Sequence, residues 1–310
     1  MINRDRYRLF CKENDSIPIF SRDWYLDAVC GVDSWDVVFV EKQGKIVASM
    51  PFYKKRKGIF TIITMPKHAQ TMGIFLIYPK GQKYETRLSY EKKIMQTLIE
   101  QLPKVDYFNQ TFHYTITNWL PLYWKGYKET TNYTYIIEDL SNLDVVFKNF
   151  SNGKRKDIEK SKDIVDVKFD LSAKEFYAHH KETLESQNNT ISYSFEHFNS
   201  IYKALYRHNR GRTLYAIDRD KNIHVALLVI WDSMSGYNLI TTFDPKFRNS
   251  GASSLVIWKA IEFISTKVDK FDFEGSMIES VERSYRQFGA KQRAYFDISR
   301  VDSRLLRLIL

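Results

Sequence analysis

The chain has 310 residues, 44% of them hydrophobic and 27% charged, with a formal net charge of +10. This fits a soluble globular protein of two ordinary domains or one large one. Cys11 and Cys30 form no CxxC pair, which excludes a disulfide framework or a thiolate metal site, and the seven histidines lack ligand spacing, so neither metal nor prosthetic group is expected. The longest apolar run, Val225–Trp231, is too short to span a bilayer. The opening MINRDRYRLF carries charges where a secretory signal needs its apolar segment, so a cytoplasmic location is expected. The positive charge points to an anionic partner, whether a phosphate-rich substrate, a nucleic acid such as tRNA, or the inner face of the membrane. It does not choose among them.

In chain order, Ile17–Leu26 reads as a short helix capped by Ser21. Two strands follow over residues 35–55 around a Gln43-Gly44 turn, and a third, Phe60–Met65, comes after Gly58. Leu88, Ile94, Leu98 and Ile99 mark a helix over Thr86–Gln101. Then come a strand over Lys104–Thr111, a helical turn at Asn118–Trp124 and a strand at Tyr133–Ile137.

The second half repeats this order. RTLYAIDRDKNIHVALLVIW matches the first hairpin, with Ala226 where the first has Ala48. The spacing predicts a strand over Tyr237–Phe243, a helix over Ala252–Lys267, a strand over Lys270–Phe273, a helix over Glu279–Gln287 and a strand over Ala294–Ile298. KVDKFDF answers KVDYFNQ about 163 residues earlier, and SYRQFGAKQRAYFDIS answers LYWKGYKETTNYTYII at nearly that offset. Matching elements in matching order indicate a duplication, with domains over residues 1–150 and 151–310.

Arg248, Asn249, Ser250, Gly251, Ala252 and Ser253 stand where a strand gives way to a helix. Free amides and the positive end of the helix dipole there suit an anion such as a pyrophosphate, and Arg248 adds a fixed charge. A Gly-Ser turn that merely caps the helix would look the same. Asp272, Glu274 and Ser276 alternate at a strand end, which suits an amine-binding or general-base cluster; helix capping and a salt bridge are the plainer uses of the same residues. Arg283 and Arg286 could pair with those carboxylates or with a substrate phosphate.

The R-x-x-G-x-S turn, FDFEGS and Y-R-Q-F-G-A together resemble the FemAB-like branch of the GNAT N-acyltransferases over nearly the whole chain. That resemblance implies an α/β (α+β) fold of two tandem GNAT-like domains, each a mixed, mostly antiparallel sheet flanked by helices. It implies an acyltransferase whose donor is acetyl-CoA or another acyl-CoA held at Arg248–Ser253, with an aminoacyl-tRNA donor as the runner-up and a non-catalytic binding module as a third reading. The acceptor would be an amine of an envelope polysaccharide or peptidoglycan precursor, small or lipid-linked. Tyr285, four residues before Gly289, matches the tyrosine that protonates the leaving group in many members, although Phe288-Gly289 inverts the usual Gly-Phe; a packed core tyrosine fits as well. Only the second domain carries the donor turn, so the first is expected to form an acceptor-side wall. The run Ser151–Lys162 resembles the basic helix opening the second domain of such proteins, where Lys154 and Arg155 would face a substrate phosphate; a solvated charged face is the alternative. Lys174–Arg207 lacks the sustained heptads of the arm that peptidoglycan-type members carry.

Overall fold

The computed structural model describes residues 3–308, and the chain folds into two compact units. One takes in the chain up to Asn132 and again from Ala294 onward; the other is Tyr133–Arg293.

The first unit opens with α1 (Asn3–Glu13), which buries Tyr7, Phe10 and Cys11. A 3-10 turn at Ile19–Ser21 leads into α2 (Asp23–Cys30). Ser21 therefore does not cap this helix: Arg22 holds the cap position with no side-chain bond. Ser21 is instead drawn inward, its carbonyl accepting from Tyr7 Oη at 2.7 Å. β1 (Trp35–Lys42) and β2 (Lys45–Lys57) pair antiparallel around Gln43 and Gly44, both at positive φ (51° and 73°), as a two-residue hairpin turn that follows the strand twist requires. β3 (Phe60–Thr64) and the two-residue β4 (Phe75–Leu76) both pair with β2. α3 (Tyr84–Gln101) lays Tyr90, Ile94, Met95, Leu98 and Ile99 onto a core with Val38, Met50 and Phe108. β5 (Tyr107–Thr111), parallel to β3, and α4 (Leu120–Tyr123) follow. Sequence spacing marked neither α1, rich in Arg and Lys, nor β4, too short to show a period.

β6 (Lys128–Ile137) follows these elements, yet its Ile136 and Ile137 pair with β11 in the second unit. Next come α5 (Leu143–Lys148), α6 (Asn152–Ser161), β7 (Asp166–Phe169), α7 (Ala173–Glu185) and α8 (Phe195–Arg207). β8 (Gly211–Ile217), β9 (Ile223–Trp231) and β10 (Gly236–Phe243) form an antiparallel meander. α9 (Ala252–Ser265), β11 (Phe271–Asp272), α10 (Glu279–Arg286) and β12 (Lys291–Val301) complete the chain, and β12 pairs with β5 back in the first unit. The apolar run at Val225–Trp231 is the buried central strand of the meander, covered on both faces. α9 is apolar almost all round and packs into the same core with Phe150, Phe271 and Phe288. The Lys174–Arg207 stretch folds as two short helices, with Asn188 at positive φ between them. Each unit is thus a mixed, mostly antiparallel sheet with helices packed on it, as the repeat implied. No helix among the described residues is long and apolar enough to cross a membrane.

Candidate active site

Within the second unit, β10 and β11 run parallel but stay in register only at Gly236–Phe271 and Tyr237–Asp272. Beyond that point the chain after β11 stays with β6, where the Phe273 amide donates to the Tyr135 carbonyl at 2.9 Å. β10 stays with β9 as far as Phe243, with a register shift between Asn238 and Ile240. Asp272 is thus the last position of β11 at which the two parallel strands pair.

Asp272 is 4% exposed, and its Oδ1 accepts the Glu274 amide at 2.7 Å and the Thr134 hydroxyl. Burial pushes this carboxyl up to about 6; the two hydrogen bonds work against the shift, and the nearby Asp232 charge adds to it. Asp232 is itself held by Tyr237 Oη at 3.0 Å and by the amides of Met234 and Ser235.

The expected alternation along the strand does not continue past Asp272. Glu274 (φ 61°) and Gly275 (φ 68°) both take left-handed backbone and turn the chain sharply. A Cβ on Gly275 would sit 2.1 Å from the Tyr133 carbonyl oxygen, so only glycine admits the close approach to β6. The turn leaves Glu274 6% exposed beside Asp272. Ser276 goes elsewhere, its Oγ accepting the Ile278 amide at 3.0 Å ahead of α10.

Tyr285, on α10, packs its ring 4.9 Å from that of Phe273. Burial pushes its phenol up to about 12, with the charges of Glu274 and Asp272 adding to the shift. It therefore stays protonated at neutral pH, close to both carboxylates. Lys154 reaches the same helix from α6, donating to Ser284 Oγ at 3.0 Å with its ammonium 4.6 Å from the centre of the Phe288 ring. Its pKa is lowered by burial, partly offset by Asp157. Arg155 turns away, its guanidinium bonded to the Lys148 carbonyl and Asn152. Arg283 and Arg286 are exposed on α10, Arg286 pairing with Glu282 at 3.0 Å. Glu282 also accepts from Tyr135 Oη at 2.9 Å, tying α10 to β6.

The turn Arg248–Ser253 leads into α9 with Gly251 at φ 78°. Ser250 Oγ accepts the Ala252 amide at 3.2 Å, and Lys160 donates to the Asn249 carbonyl at 2.8 Å. A Cβ on Gly251 would meet the Asp157 carbonyl at 2.4 Å, so the glycine lets α6 pack closely here. Arg248 and Asn249 are exposed, and Ser253 is half-buried. Lys154 and Asp157, three residues apart on α6, thus face Ser284 of α10 and the Gly251 turn respectively.

The structure brings together Asp272, Glu274 and Tyr285, sets Lys154 against Ser284 and Phe288, and leaves Arg155, Ser276 and Arg283 outside that cluster. Sequence reasoning missed Thr134, which meets Asp272 only through the pairing of β6 with β11, and the Tyr237–Asp232 pair, which the pairing of β10 with β11 sets beside it. Glu282, four residues before Arg286, was legible as a helix pair.

No family profile matches this sequence, and no curated protein matches it. Among solved structures, FemX matches over 100% of this chain and 98% of its own, with 10% identity and a TM-score of 0.71. L-PGS from Bacillus licheniformis matches over 98% and 94%, with 10% identity and a TM-score of 0.58. A tandem GNAT protein from the clavulanic acid biosynthesis pathway matches over 86% and 82%, with 9% identity and a TM-score of 0.50. The likeness is one of fold: it extends over the whole chain for FemX and over 86% of it for the tandem GNAT protein.

Proposed function

We propose that this protein is an N-acyltransferase moving an acyl group onto an amine of a cell-envelope polysaccharide or peptidoglycan precursor. One observation carries the reading. Where β10 leaves β11, a buried carboxyl pushed up to about 6 stands close to a tyrosine that stays protonated at neutral pH. Asp272, ionised at neutral pH, takes a proton from the acceptor ammonium, and the freed amine attacks the donor carbonyl. The new N–C bond forms as the C–S or C–O bond to the carrier breaks. Tyr285 gives its proton to the departing sulfur or oxygen, the nitrogen sheds its second proton on becoming the amide and so restores Tyr285 through solvent, and Asp272 releases its own proton to water. Glu274 holds the ammonium beside Asp272, and Lys154 offers positive charge toward an anionic substrate group.

The donor the sequence points to is an acyl-CoA, its pyrophosphate at Arg248–Ser253. A second reading, an aminoacyl-tRNA ester, is favoured by two observations. Part of that turn is already taken: the Ala252 amide by Ser250, and the space beside Gly251 by the Asp157 backbone. A phenol pushed up to about 12 also matches an alkoxide leaving group better than a thiolate, whose ordinary pKa is about 8.5.

Titrating the purified protein with acetyl-CoA, with free CoA and with charged tRNA separates the two donors. Micromolar binding of acetyl-CoA that Arg248→Ala weakens about tenfold supports the thioester reading, since a lost charge-assisted bond is worth roughly 1.5–3 kcal/mol. A flat CoA titration with retention of charged tRNA supports the ester. Binding of neither overturns both. With the donor identified, Tyr285→Phe is expected to slow single-turnover transfer about 10²–10⁴-fold while donor affinity stays constant. An unchanged rate would remove Tyr285 from the chemistry.

A further inference from the structure

The first unit carries a cationic projection that the proposed chemistry does not use. β1 reaches back along β2 only as far as Trp35 opposite Tyr53; beyond a last amide bond from Lys54 to the Ser34 carbonyl at 3.2 Å, Lys55, Arg56 and Lys57 pair with β3 alone. Side chains alternate between the two faces of a strand, yet all four are exposed, so this end of the hairpin is open to solvent on both faces. Among the described residues none of the four makes an ion pair with a carboxylate.

At the tip, Gly58 (φ 60°) takes the first place of a two-residue turn and leaves Ile59 in the second, 76% exposed. Turn tips ordinarily carry polar residues, so a large aliphatic side chain there has no folding purpose.

A second segment of the same kind is anchored close to the tip of this hairpin. Asp106 accepts the Thr61 amide through Oδ2 at 2.8 Å and donates its own amide to the Thr61 carbonyl at 2.8 Å. Its carbonyl also accepts the amides of Asp302 and Ser303, at 2.9 and 3.2 Å. The chain after β12 is thereby fixed beside the hairpin, and it presents Leu305 and Leu308 (49% and 85% exposed) with Arg304 and Arg307.

We propose that the β2–β3 hairpin tip and the segment after β12 form one docking surface for an anionic lipid bilayer, with Ile59, Leu305 and Leu308 entering the headgroup region and the flanking Lys and Arg side chains meeting lipid phosphates. Apolar side chains ringed by cations suit an interface whose headgroups are anionic and whose interior is apolar. An RNA backbone would satisfy the charges but gives the aliphatic side chains nothing to enter, and base recognition would call for aromatic stacking. The inference adds to the envelope reading only where the protein works. It rests on residues apart from Asp272 and Tyr285, and its test needs no acyl transfer, so either can fail without the other.

The test is flotation of the full chain with vesicles of phosphatidylcholine alone and of phosphatidylcholine with roughly one-third phosphatidylglycerol, whose negative surface potential attracts polybasic segments. Association with the anionic vesicles only, reversed by high salt, is expected. Replacing Lys54, Lys55, Arg56 and Lys57 together by Gln should weaken it about a hundredfold or more, at roughly tenfold per one or two charges. Ile59→Asp, on an exposed turn, keeps the fold and every cation and should weaken it about tenfold. Equal binding by wild type and the four-Gln variant would overturn the proposal, and so would no vesicle binding by a wild type that retains tRNA through the same lysines. Full binding by Ile59→Asp would overturn the insertion of the tip.

Discussion

Replacing Gly275 with alanine is expected to remove about 3 kcal/mol or more of folding stability. The added Cβ would sit 2.1 Å from the Tyr133 carbonyl oxygen and 2.8 Å from the Thr134 Cα. Both obstacles are backbone, so no rotamer change relieves them. The left-handed φ of 68° adds its own cost of about 1 kcal/mol. Gly44→Ala is the matched control: its φ of 73° is equally left-handed, but nothing stands within 4 Å of the new atom. Urea denaturation of the two variants should therefore show a small loss for Gly44→Ala and a much larger one for Gly275→Ala. Equal losses would mean that β6 does not press on this turn. Because the turn also sets Glu274 beside Asp272, any folded Gly275→Ala protein should lose acyl transfer as well.

Asp272→Asn is expected to separate stability from activity. The carboxyl stands at about 6 in the folded chain against an ordinary 3.8, so the folded state binds its proton more tightly than the unfolded state does. Its contribution to stability is fully present below about 3.8 and is lost as pH rises through about 6. At neutral pH the buried charge therefore costs on the order of 3 kcal/mol. Asparagine carries no charge, and its Oδ1 can still accept from Thr134 and from the Glu274 amide. The variant should match or exceed the wild type in stability at pH 7, and the difference between them should shrink as pH falls from 7 to 4. Activity should fall about 10²–10⁴-fold, because an amide cannot take the ammonium proton. A constant stability difference from pH 4 to 7 would contradict the raised carboxyl, and near-normal activity would assign the proton to solvent.

A stabilising loss of function in Asp272→Asn would mark Asp272 as a group kept for chemistry. Asp272 is buried in the core beside Phe271 and Phe273, where the fold alone would favour an apolar residue. Lys154 makes the same point in milder form, since its ammonium is half withdrawn from water against Phe288.

The elements whose period is local were legible from the residues alone. Alternation and a Gln-Gly turn marked β1 and β2; the apolar stripe of α3 and the seven-residue run of β9 marked their burial; and the matched order of the two halves implied paired α/β sheets. The glycine turn before α9 and the carboxylates at the end of β11 were likewise visible as chemistry-bearing residue types. Which of them meet was not. The pairing of β6 with β11 sets Thr134 on Asp272, and the partners are 138 residues apart. The left-handed pair Glu274-Gly275 ends the strand alternation because β6 presses from one side, which no period within the segment can express. Ser21 failed as a cap for the same reason, its carbonyl being claimed by Tyr7 from another helix. Local sequence determines the preferences of φ, ψ and side-chain period. Burial, carboxyl pKa and the position of a proton donor depend on contacts between segments far apart in the chain, and those the tertiary structure alone decided.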